Sequence, residues 1–440
     1  MASRASAQGN RQPTSNVLSV DTRQASTSPT RSQRYRADMT RTLFSGGTVF
    51  DGSGAPPAPA DIVMEDGKIC EVGIGLDGDV AVDCSGQSIY PGFIDCHVHL
   101  MADGNLDPMS HVSTPFSMNF FLTLERMQRT LAAGITTIRE AGGSDLGVKQ
   151  AQVRGLANGP RMQISITILS QTGGHGDGWE VCGAHLPGML DPHPGRPHNI
   201  VDGPDEMRRK VRELIRAGAD VIKVCTSGGV LSPTDDPRHG HFRDDELDVL
   251  VAEANAAGKW VMAHAQAADG IKSAIRAGIR SIEHGIYLDD HAIEMMLAEG
   301  TYLVPTLIAP MGVLEARDRG VNVPDYAIAK SKLVIETHRA SIRRAIEAGV
   351  KVAMGTDSGV TPHGQNLREL EQYVLCGMSP TDALISATRT ASELMSIDDE
   401  VGTITPGKRA DLVIAACDPL DVVALRSSIT SVWQDGRHVA

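Results

Sequence analysis

Six side chains that can bind metal ions stand at or near the ends of short apolar segments, beginning with His97 and His99. Because side chains alternate between the two faces of a strand, both imidazoles of this pair point the same way. Neighbouring imidazoles suit a divalent cation of the zinc type. An isolated His-x-His pair is more often two ordinary core or surface histidines, so the assignment depends on the rest of the chain.

The other four candidates follow apolar segments further along the chain. Lys223 lies in the fourth such segment, His264 ends the fifth and His284 ends the sixth. Asp357 comes shortly after the eighth. Neutral imidazoles and carboxylates are good ligands for zinc and related divalent ions. Together these residue types predict a metal centre, provided that the segments deliver them to one place.

Lys223 is the unusual member of the set, because an ammonium group with a pKa of about 10.4 is protonated at neutral pH and cannot bind a cation. Reaction with carbon dioxide would give N6-carboxylysine, an anionic carbamate whose two oxygens could bridge two ions. The alternative is a salt bridge to Asp357 or Glu140. Next to five other residues of ligand type, Lys223 favours the carbamate and therefore two divalent ions, with zinc expected.

Two ions that share a water molecule would generate a bridging hydroxide at neutral pH. Lowering the pKa of water from about 15.7 to roughly 7 corresponds to about 12 kcal/mol. Asp357 is the candidate to take the proton from the attacking water and pass it to the leaving nitrogen. This chemistry is amide hydrolysis without a protein nucleophile, and the chain has no Gly-x-Ser-x-Gly motif that would favour a serine hydrolase.

A barrel would bring the six side chains together. Between residues 91 and 399, apolar strand segments alternate with amphipathic helical segments, which predicts parallel βαβ units. Strands are predicted at 93–98, 135–139, 162–168, 221–225, 260–264, 281–284, 302–306 and 352–355. Eight units predict an α/β protein with a (β/α)8 barrel, in which all strands end at one functional face. A doubly wound sheet is the alternative, but no glycine-rich phosphate motif follows the first strand.

The two ends of the chain have a different pattern. Residues 39–90 and 400–440 contain short alternating strands and Asp-Gly turns, which predict one small β-sandwich domain built from both chain ends. Separate strands are expected at 42–44 and 48–50. Residues 1–38, rich in Ser, Thr, Gln and Arg, are predicted to be a disordered leader or extension, with a transit peptide or a vector-derived leader as alternatives.

Composition limits the classes of function. A formal charge of −13 over 440 residues argues against nucleic acid or an anionic membrane as the main partner. The seven cysteines form no CxxC pair, so neither a disulfide framework nor a zinc ribbon is indicated. A reducing, cytoplasmic location fits this usage best. No apolar run is long enough to span a bilayer.

The order His-x-His, Lys, His, His, Asp resembles the metal pattern of the binuclear metal-dependent amidohydrolase superfamily. Residues 170–177 (SQTGGHGD) and 227–235 (SGGVLSPTD) resemble its prolidase-like group, to which ochratoxin-hydrolysing amidases are similar. Members of that group cleave Xaa-Pro dipeptides or N-acyl amino acids. The resemblance implies a homo-oligomer and two sets of ligands, which are His97, His99 and Asp357 for one ion, His264 and His284 for the other, and carboxylated Lys223 between them.

Two departures from the superfamily pattern affect the surroundings of the metal centre. Glu140 stands where such sequences commonly carry Asp, which puts a contact behind the ligands in doubt. Residues 238–242 read Arg-His-Gly-His-Phe, where relatives place a tyrosine nearby. The substrate contacts implied by the resemblance are therefore less secure than the ligands.

The long segment from 170 to 201, rich in Gly, Pro and His, is the expected substrate loop, since structureless loops of this length are usually lids or disordered. His175, beside two glycines, is the candidate to donate to a substrate carbonyl or carboxylate, with a loop-stabilising hydrogen bond as the alternative. A substrate carboxylate needs a cationic partner. The remaining substrate-binding candidates are Arg238, His239, His241 and His363, the last at the rim of the mouth.

These features predict a metal-dependent amide hydrolase that releases a C-terminal amino acid from a dipeptide or an N-acyl amino acid. A cyclic amidase of the dihydroorotase or hydantoinase type shares the lysine pattern and is the alternative. A non-catalytic scaffold is disfavoured, because all six ligand positions are filled. The choice among amide substrates is left open by the sequence.

Overall fold

The computed structural model describes residues 40–186 and 188–440, so the predicted disordered leader lies outside the described residues. In chain order the strands are β1 (Thr42–Val49), β2 (Ala58–Glu65), β3 (Lys68–Gly73), β4 (Val80–Asp83), β5 (Ser88–Pro91), β6 (Phe93–Val98), β7 (Ile135–Glu140), β8 (Arg161–Ile164), β9 (Ile168–Leu169), β10 (Ile222–Cys225), β11 (Val261–Ala265), β12 (Ser281–His284), β13 (Tyr302–Val304), β14 (Leu412–Ala415), β15 (Ile429–Gln434) and β16 (Arg437–His438).

Helices alternate with the strands from β6 onwards. They are α1 (Pro108–Ser113), α2 (Met118–Ala132), α3 (Leu146–Val153), α4 (Pro204–Ala217), α5 (Asp244–Ala256), α6 (Ala268–Arg276), α7 (Asp290–Glu299), α8 (Ile308–Asp318), α9 (Asp325–Ala348), α10 (Arg368–Leu375), α11 (Pro380–Ser386), α12 (Arg389–Leu394) and α13 (Val422–Ser428). A short 3-10 helix spans Gly188–Leu190. No helix in the described ranges has both the length and the apolar character needed to cross a membrane.

The barrel is assembled from two parallel sheets, β6-β7-β8 and β9-β10-β11-β12-β13. Its third strand is shared between β8, which pairs with β7, and β9, which pairs with β10. Residues 352–358 supply the eighth strand and close the ring. On one side Ala353 N donates to Leu303 O (2.9 Å), and on the other Asp357 N donates to His97 O (2.7 Å). The predicted (β/α)8 barrel is confirmed.

The helices cover the outside of the barrel because one face of each is apolar. In α4, Met207, Val211 and Leu214 are buried, whereas Arg208 and Arg212 on the outer face form ion pairs with acidic side chains. The strands inside this layer are almost entirely buried, as expected for parallel strands that are covered on both faces. This packing leaves the carboxyl ends of the strands as the place where polar side chains can collect.

Both ends of the chain contribute to one sheet, with the strand order β16-β15-β14-β5-β1-β2-β3 and β4 beside β1. β14 from the C-terminal part pairs with β5 from the N-terminal part, so the predicted β domain does join the two ends. The prediction of two strands at 42–44 and 48–50 is wrong. Instead, β1 runs through a bulge at Gly46, whose φ of 77° suits glycine, and pairs with β2 on both sides of it.

Candidate active site

A cavity of about 300 Å³ opens at the carboxyl ends of the barrel strands. The predicted ligands all line it, together with one predicted substrate contact; they are His97, His99, Lys223, His264, His284, Asp357 and His175. The segments that carry them are spread over 260 residues, and only barrel closure brings them together. The loop from 170 to 201 covers part of this cavity, which Gly176, Leu186 and Leu190 also line.

The tightest group of potential ligands is His97, His99 and Asp357, whose ligand atoms all lie within 4.8 Å of one another. Oδ1 of Asp357 is 3.5 Å from Nε2 of His97 and 3.2 Å from Nε2 of His99. Asp357 has a φ of 57°, a left-handed conformation that is uncommon for a residue with a side chain. The first and eighth strands thus place three donors around one point.

The imidazole rings continue as a chain across the cavity. The ring centroid of His284 lies 5.1 Å from that of His97 and 4.6 Å from that of His264. Lys223, from β10, also lines the cavity beside these rings. The histidines of β11 and β12 therefore face the same space as those of β6.

Each of the four histidines uses one ring nitrogen to bond a neighbouring oxygen. These bonds are His97 Nδ1 to Glu283 (2.8 Å), His99 Nδ1 to Gly142 O (2.7 Å), His264 Nε2 to Gly228 O (3.1 Å) and His284 Nδ1 to Thr306 Oγ1 (2.6 Å). The second nitrogen of each ring remains for a metal ion. Metal-binding histidines are typically oriented in this way by an oxygen partner.

Burial keeps most of these imidazoles neutral. Removal from water lowers the pKa of His97 and of His264 well below 6.5, and lowers that of His284 to about 3. For Asp357, burial favours the protonated form, but the adjacent His97 and His99 overcome it and hold its pKa below the ordinary range. His99 differs, because its contact with Asp357 outweighs burial and raises its pKa. Three neutral imidazoles and a carboxylate anion are thus in the form that binds metal.

Lys223 is buried, and in the described part of the chain its Nζ has no hydrogen-bond partner. The alternative of a salt bridge to Glu140 is not observed, because that carboxylate accepts from the backbone N–H groups of Gly142 and Ser144 (both 3.1 Å). Burial lowers the pKa of Lys223. An unpartnered amine beside imidazole and carboxylate donors fits a site for divalent metal ions.

Glu283 supports the candidate metal site from behind, and sequence reasoning did not identify it. Besides contacting His97, its carboxylate accepts two hydrogen bonds from Nη2 of Arg139 (2.7 and 2.8 Å), and both side chains are fully buried. The pair connects β7 with β12 beneath the ligands. In the sequence, Glu283 is marked only by its position directly before His284. That position does not show which residues Glu283 contacts.

Two of the predicted substrate contacts lie outside the cavity lining. Arg238 forms a bidentate pair with Asp236 (2.9 and 2.6 Å), and its side chain is 60% exposed. His239 is also exposed. The loop turns these two side chains towards solvent because the local Asp236 satisfies the guanidinium. Their prediction as substrate contacts is not supported by this geometry.

His241 and His363 are buried but also lie outside the cavity lining. Burial lowers the pKa of each to about 4, so neither supplies a cation at neutral pH. His363 Nε2 donates to the carbonyls of His99 (3.2 Å) and Ala102 (3.0 Å), and its Nδ1 accepts from Thr130. This position corrects the prediction that His363 lies at the rim of the cavity mouth. Instead, His363 stabilises the loop behind His99.

Cavity residues that the sequence did not reveal include side chains of α1, α8 and α9. His111, Val313 and Tyr326 are examples, and further apolar lining residues include Ile168, Leu190, Val230 and Ile286. A lone histidine or apolar residue in an amphipathic helix carries no motif, so only the folded chain identifies it as a lining residue.

The sequence profile of the amidohydrolase family matches residues 88–439. The chain belongs to this family. Ochratoxinase of Aspergillus niger is 33% identical to this amidohydrolase over 420 residues, which cover 90% of the chain and 86% of that enzyme.

Two solved structures are similar to this amidohydrolase over about nine tenths of its length. A Xaa-Pro dipeptidase with bound methionine in its active site has a TM-score of 0.82 and 32% identity, with 90% of this chain and 99% of that chain covered. A prolidase complexed with N-methylphosphonate-L-proline has a TM-score of 0.80 and 33% identity, with 91% and 99% covered. These findings confirm the predicted superfamily, its α/β fold and a hydrolytic enzyme that acts on amide bonds.

Proposed function

We propose that this amidohydrolase binds two divalent ions and releases a C-terminal amino acid from a dipeptide or an N-acyl amino acid. The observation that carries the proposal is the buried Nζ of Lys223, without a partner among the described residues and adjacent to ligand-type histidines. An isolated buried ammonium is costly, whereas a carbamate between two cations is compensated. Burial also lowers the pKa of the amine, and the neutral amine is the form that reacts with carbon dioxide.

The donors would hold the two ions as two groups. His97, His99 and Asp357 form one group, His264 and His284 form the other, and N6-carboxylysine at Lys223 would contribute an oxygen to each. Imidazole nitrogens and carboxylate oxygens suit zinc. When bound, the ions supply Lewis acidity towards the amide carbonyl and lower the pKa of water.

The protein groups position the substrate and move the proton. Asp357 is the base that accepts a proton as water adds to the carbonyl carbon, and it returns that proton to the nitrogen as the C–N bond breaks. His175 lines the same cavity, which supports the proposal that it bonds the substrate carbonyl or carboxylate. The products are a carboxylic acid and a free amino acid.

The relatives and the cavity lining support an amino-acid amide as substrate. Ochratoxinase, a Xaa-Pro dipeptidase and a prolidase are similar to this chain over about nine tenths of its length. Apolar side chains such as Ile168, Val230 and Val313 line the cavity, which favours an apolar acyl group or amino-acid side chain. The predictions of a homo-oligomer and of a cytoplasmic location stay predictions.

Metal analysis and a substrate screen test the proposal together. The full chain is purified with zinc supplied, and the metal is measured by mass spectrometry. About two ions per chain are expected, and one or none contradicts the two-metal site. Xaa-Pro dipeptides and N-acyl amino acids, including the phenylalanine amide ochratoxin A, are then screened for release of the free amino acid. Absence of release from every member, with the metal present, contradicts the proposed activity.

A further inference from the structure

Lys330, on α9, reaches across to the loop that follows β10. Its Nζ donates to the backbone carbonyls of Gly229 (3.0 Å), Ser232 (2.8 Å) and Asp235 (2.6 Å), and it lies 3.1 Å from Oδ1 of Asp235. Its side chain is 17% exposed, and that of Asp235 is 2% exposed. One ammonium group thus holds three carbonyls and one carboxylate of a loop that is about a hundred residues away in sequence.

The same loop contacts His175. Oγ of Ser232 lies 2.8 Å from Nδ1 of His175, and Oδ2 of Asp235 lies 3.5 Å from that nitrogen. Ser232 also bonds Oδ1 of Asp235. The pKa of Asp235 is about 2, because hydrogen bonds from His175 and Ser232 and the charge of Lys330 outweigh its burial. Asp235 is therefore an anion that can only accept hydrogen bonds.

The number of available hydrogens determines the tautomer of His175. A serine hydroxyl has a single proton, and an ionised carboxylate has none. The proton of Ser232 must therefore point to Asp235, so Oγ accepts from His175 and Nδ1 carries hydrogen. Nε2 remains as the ring nitrogen that can bond a group in the cavity.

Packing fixes the plane of the same ring. The imidazole of His175 is stacked on that of His264, with 4.2 Å between centroids and 19° between planes. On the loop side, a Cβ added to Gly229 would lie 2.3 Å from Cε1 of His175, so only glycine allows this approach. His175 is thus enclosed between a predicted metal ligand and the loop that Lys330 holds.

We propose that Ser232, Asp235 and Lys330 are positioning residues that fix His175 with Nδ1 protonated and with Nε2 directed at the substrate. The role towards the substrate rests on the proposed function, whereas the tautomer does not. Lys330 acts through Asp235, because without the ammonium the buried carboxylate loses its charge partner and the loop loses three carbonyl contacts. None of the three is a predicted metal ligand, and the hydroxyl of Ser232, which borders the cavity, is engaged by His175 and Asp235.

Nuclear magnetic resonance of 15N-histidine-labelled full-length protein reads the tautomer without substrate. The signal of His175 is assigned by its loss in His175→Gln. We expect a hydrogen-bonded Nδ1–H in the wild type, and its loss or broadening in Ser232→Ala, Asp235→Asn and Lys330→Met. Ser232→Ala removes only one hydroxyl group, so it tests the same hydrogen bond even if Lys330→Met does not fold. An Nε2–H tautomer in the wild type, or an unchanged signal in all three variants, overturns the proposal.

A double-mutant cycle measures the coupling between Lys330 and His175 through its effect on kcat/KM. Lys330→Met is expected to lower kcat/KM by roughly 10- to 100-fold, the loss typical of a misplaced active-site group, with metal content unchanged. In the His175→Gln background the same substitution should have little further effect. Multiplicative losses, or loss of metal, overturn the proposal. The matched control is Lys332→Met, because Lys332 is an exposed lysine on the same helix. This substitution should change neither kcat/KM nor metal content. If no amide is cleaved, the proposed function fails and the tautomer measurement still decides this inference.

Discussion

Lys223 is the residue whose surroundings differ most from its ordinary chemistry. An ammonium group without a partner is seldom buried, yet Nζ of Lys223 has none within the described ranges, and its pKa is lowered by burial. Burial keeps the neighbouring His97 and His284 neutral, so neither supplies a negative charge to pair with an ammonium group. The proposed carboxylation would convert the amine into an anion, which would resolve this conflict and supply the bridging ligand of the proposed two-metal site.

Lys223→Ala is expected to abolish turnover and to reduce the bound metal from about two ions per chain towards one or none. Short carboxylic acids should restore part of both, because a free carboxylate can occupy the space of the carbamate. Metal analysis and the rate of amino-acid release measure the two effects. Lys210→Ala is a suitable control, since Lys210 is also buried but pairs with Glu213 (2.9 Å) on α4. Undiminished activity in Lys223→Ala would refute its role.

At the scale of elements, the loop between β13 and α8 connects a ligand with a helix end. Thr306, with a φ of 55°, bonds His284. Immediately after it, the backbone N–H groups of Leu307 and Ile308 donate to the two oxygens of the Glu369 carboxyl group (2.7 and 3.0 Å). Glu369, from α10, thus satisfies the free donors at the start of α8 and holds the turn beside the metal site.

Glu369 should make stability depend on pH. Burial raises its pKa from 4.5 to about 8. Between these values the folded chain keeps a proton that the unfolded chain has lost, so the free energy of unfolding falls as pH rises, by up to about 1.4 kcal/mol per pH unit. Because glutamine does not titrate, this decrease in the free energy of unfolding should be absent in Glu369→Gln.

Urea unfolding at pH 5 and at pH 8 tests the expectation for Glu369. The stability of the wild type relative to Glu369→Gln should decrease between the two pH values. Glu347→Gln, at an exposed position of α9, is the control and should follow the wild type. An equal pH dependence in all three proteins would show that Glu369 is already ionised in the fold.

At the scale of the whole molecule, the terminal sheet and the barrel are joined by packing and by buried charge. Tyr90, Phe93, Val413 and Val432 belong to one apolar cluster, which includes residues of both parts. Arg161, on β8 of the barrel, donates to Asp411 Oδ2 (2.9 Å) and Asp435 Oδ1 (2.9 Å) of the C-terminal part. The two ends of the chain are therefore part of the support of the barrel.

Arg161→Met should destabilise the protein by about 3 kcal/mol, because Asp411, whose side chain is 3% exposed, loses its cationic partner. Chemical unfolding measures the change. Arg409 also bonds Asp435 (2.8 Å), but its side chain is 38% exposed, so Arg409→Met should cost less than about 1 kcal/mol. Equal effects of the two substitutions would contradict the view that Arg161 links sheet and barrel.

The barrel, and the meeting of the six candidate ligands at one cavity, could be predicted from the sequence because both depend on local pattern. Apolar segments of strand length alternate with amphipathic segments, and parallel strands in a barrel end at one face. A residue at such an end needs no long-range information to be placed there. The bulge in β1 was missed since a Gly-Gly pair within a strand reads as a turn.

Only the tertiary structure decided which hydrogen-bond partners orient the side chains at those positions. The ring nitrogen of His97 that faces the cavity is chosen by Glu283, 186 residues away, and His175 is fixed by a loop that Lys330 holds from another helix. Arg238 faces solvent because its neighbour Asp236 already pairs with it. Sequence pattern determines the direction of a strand and the face of a side chain, but hydrogen-bond partners come from distant segments that only folding brings into contact.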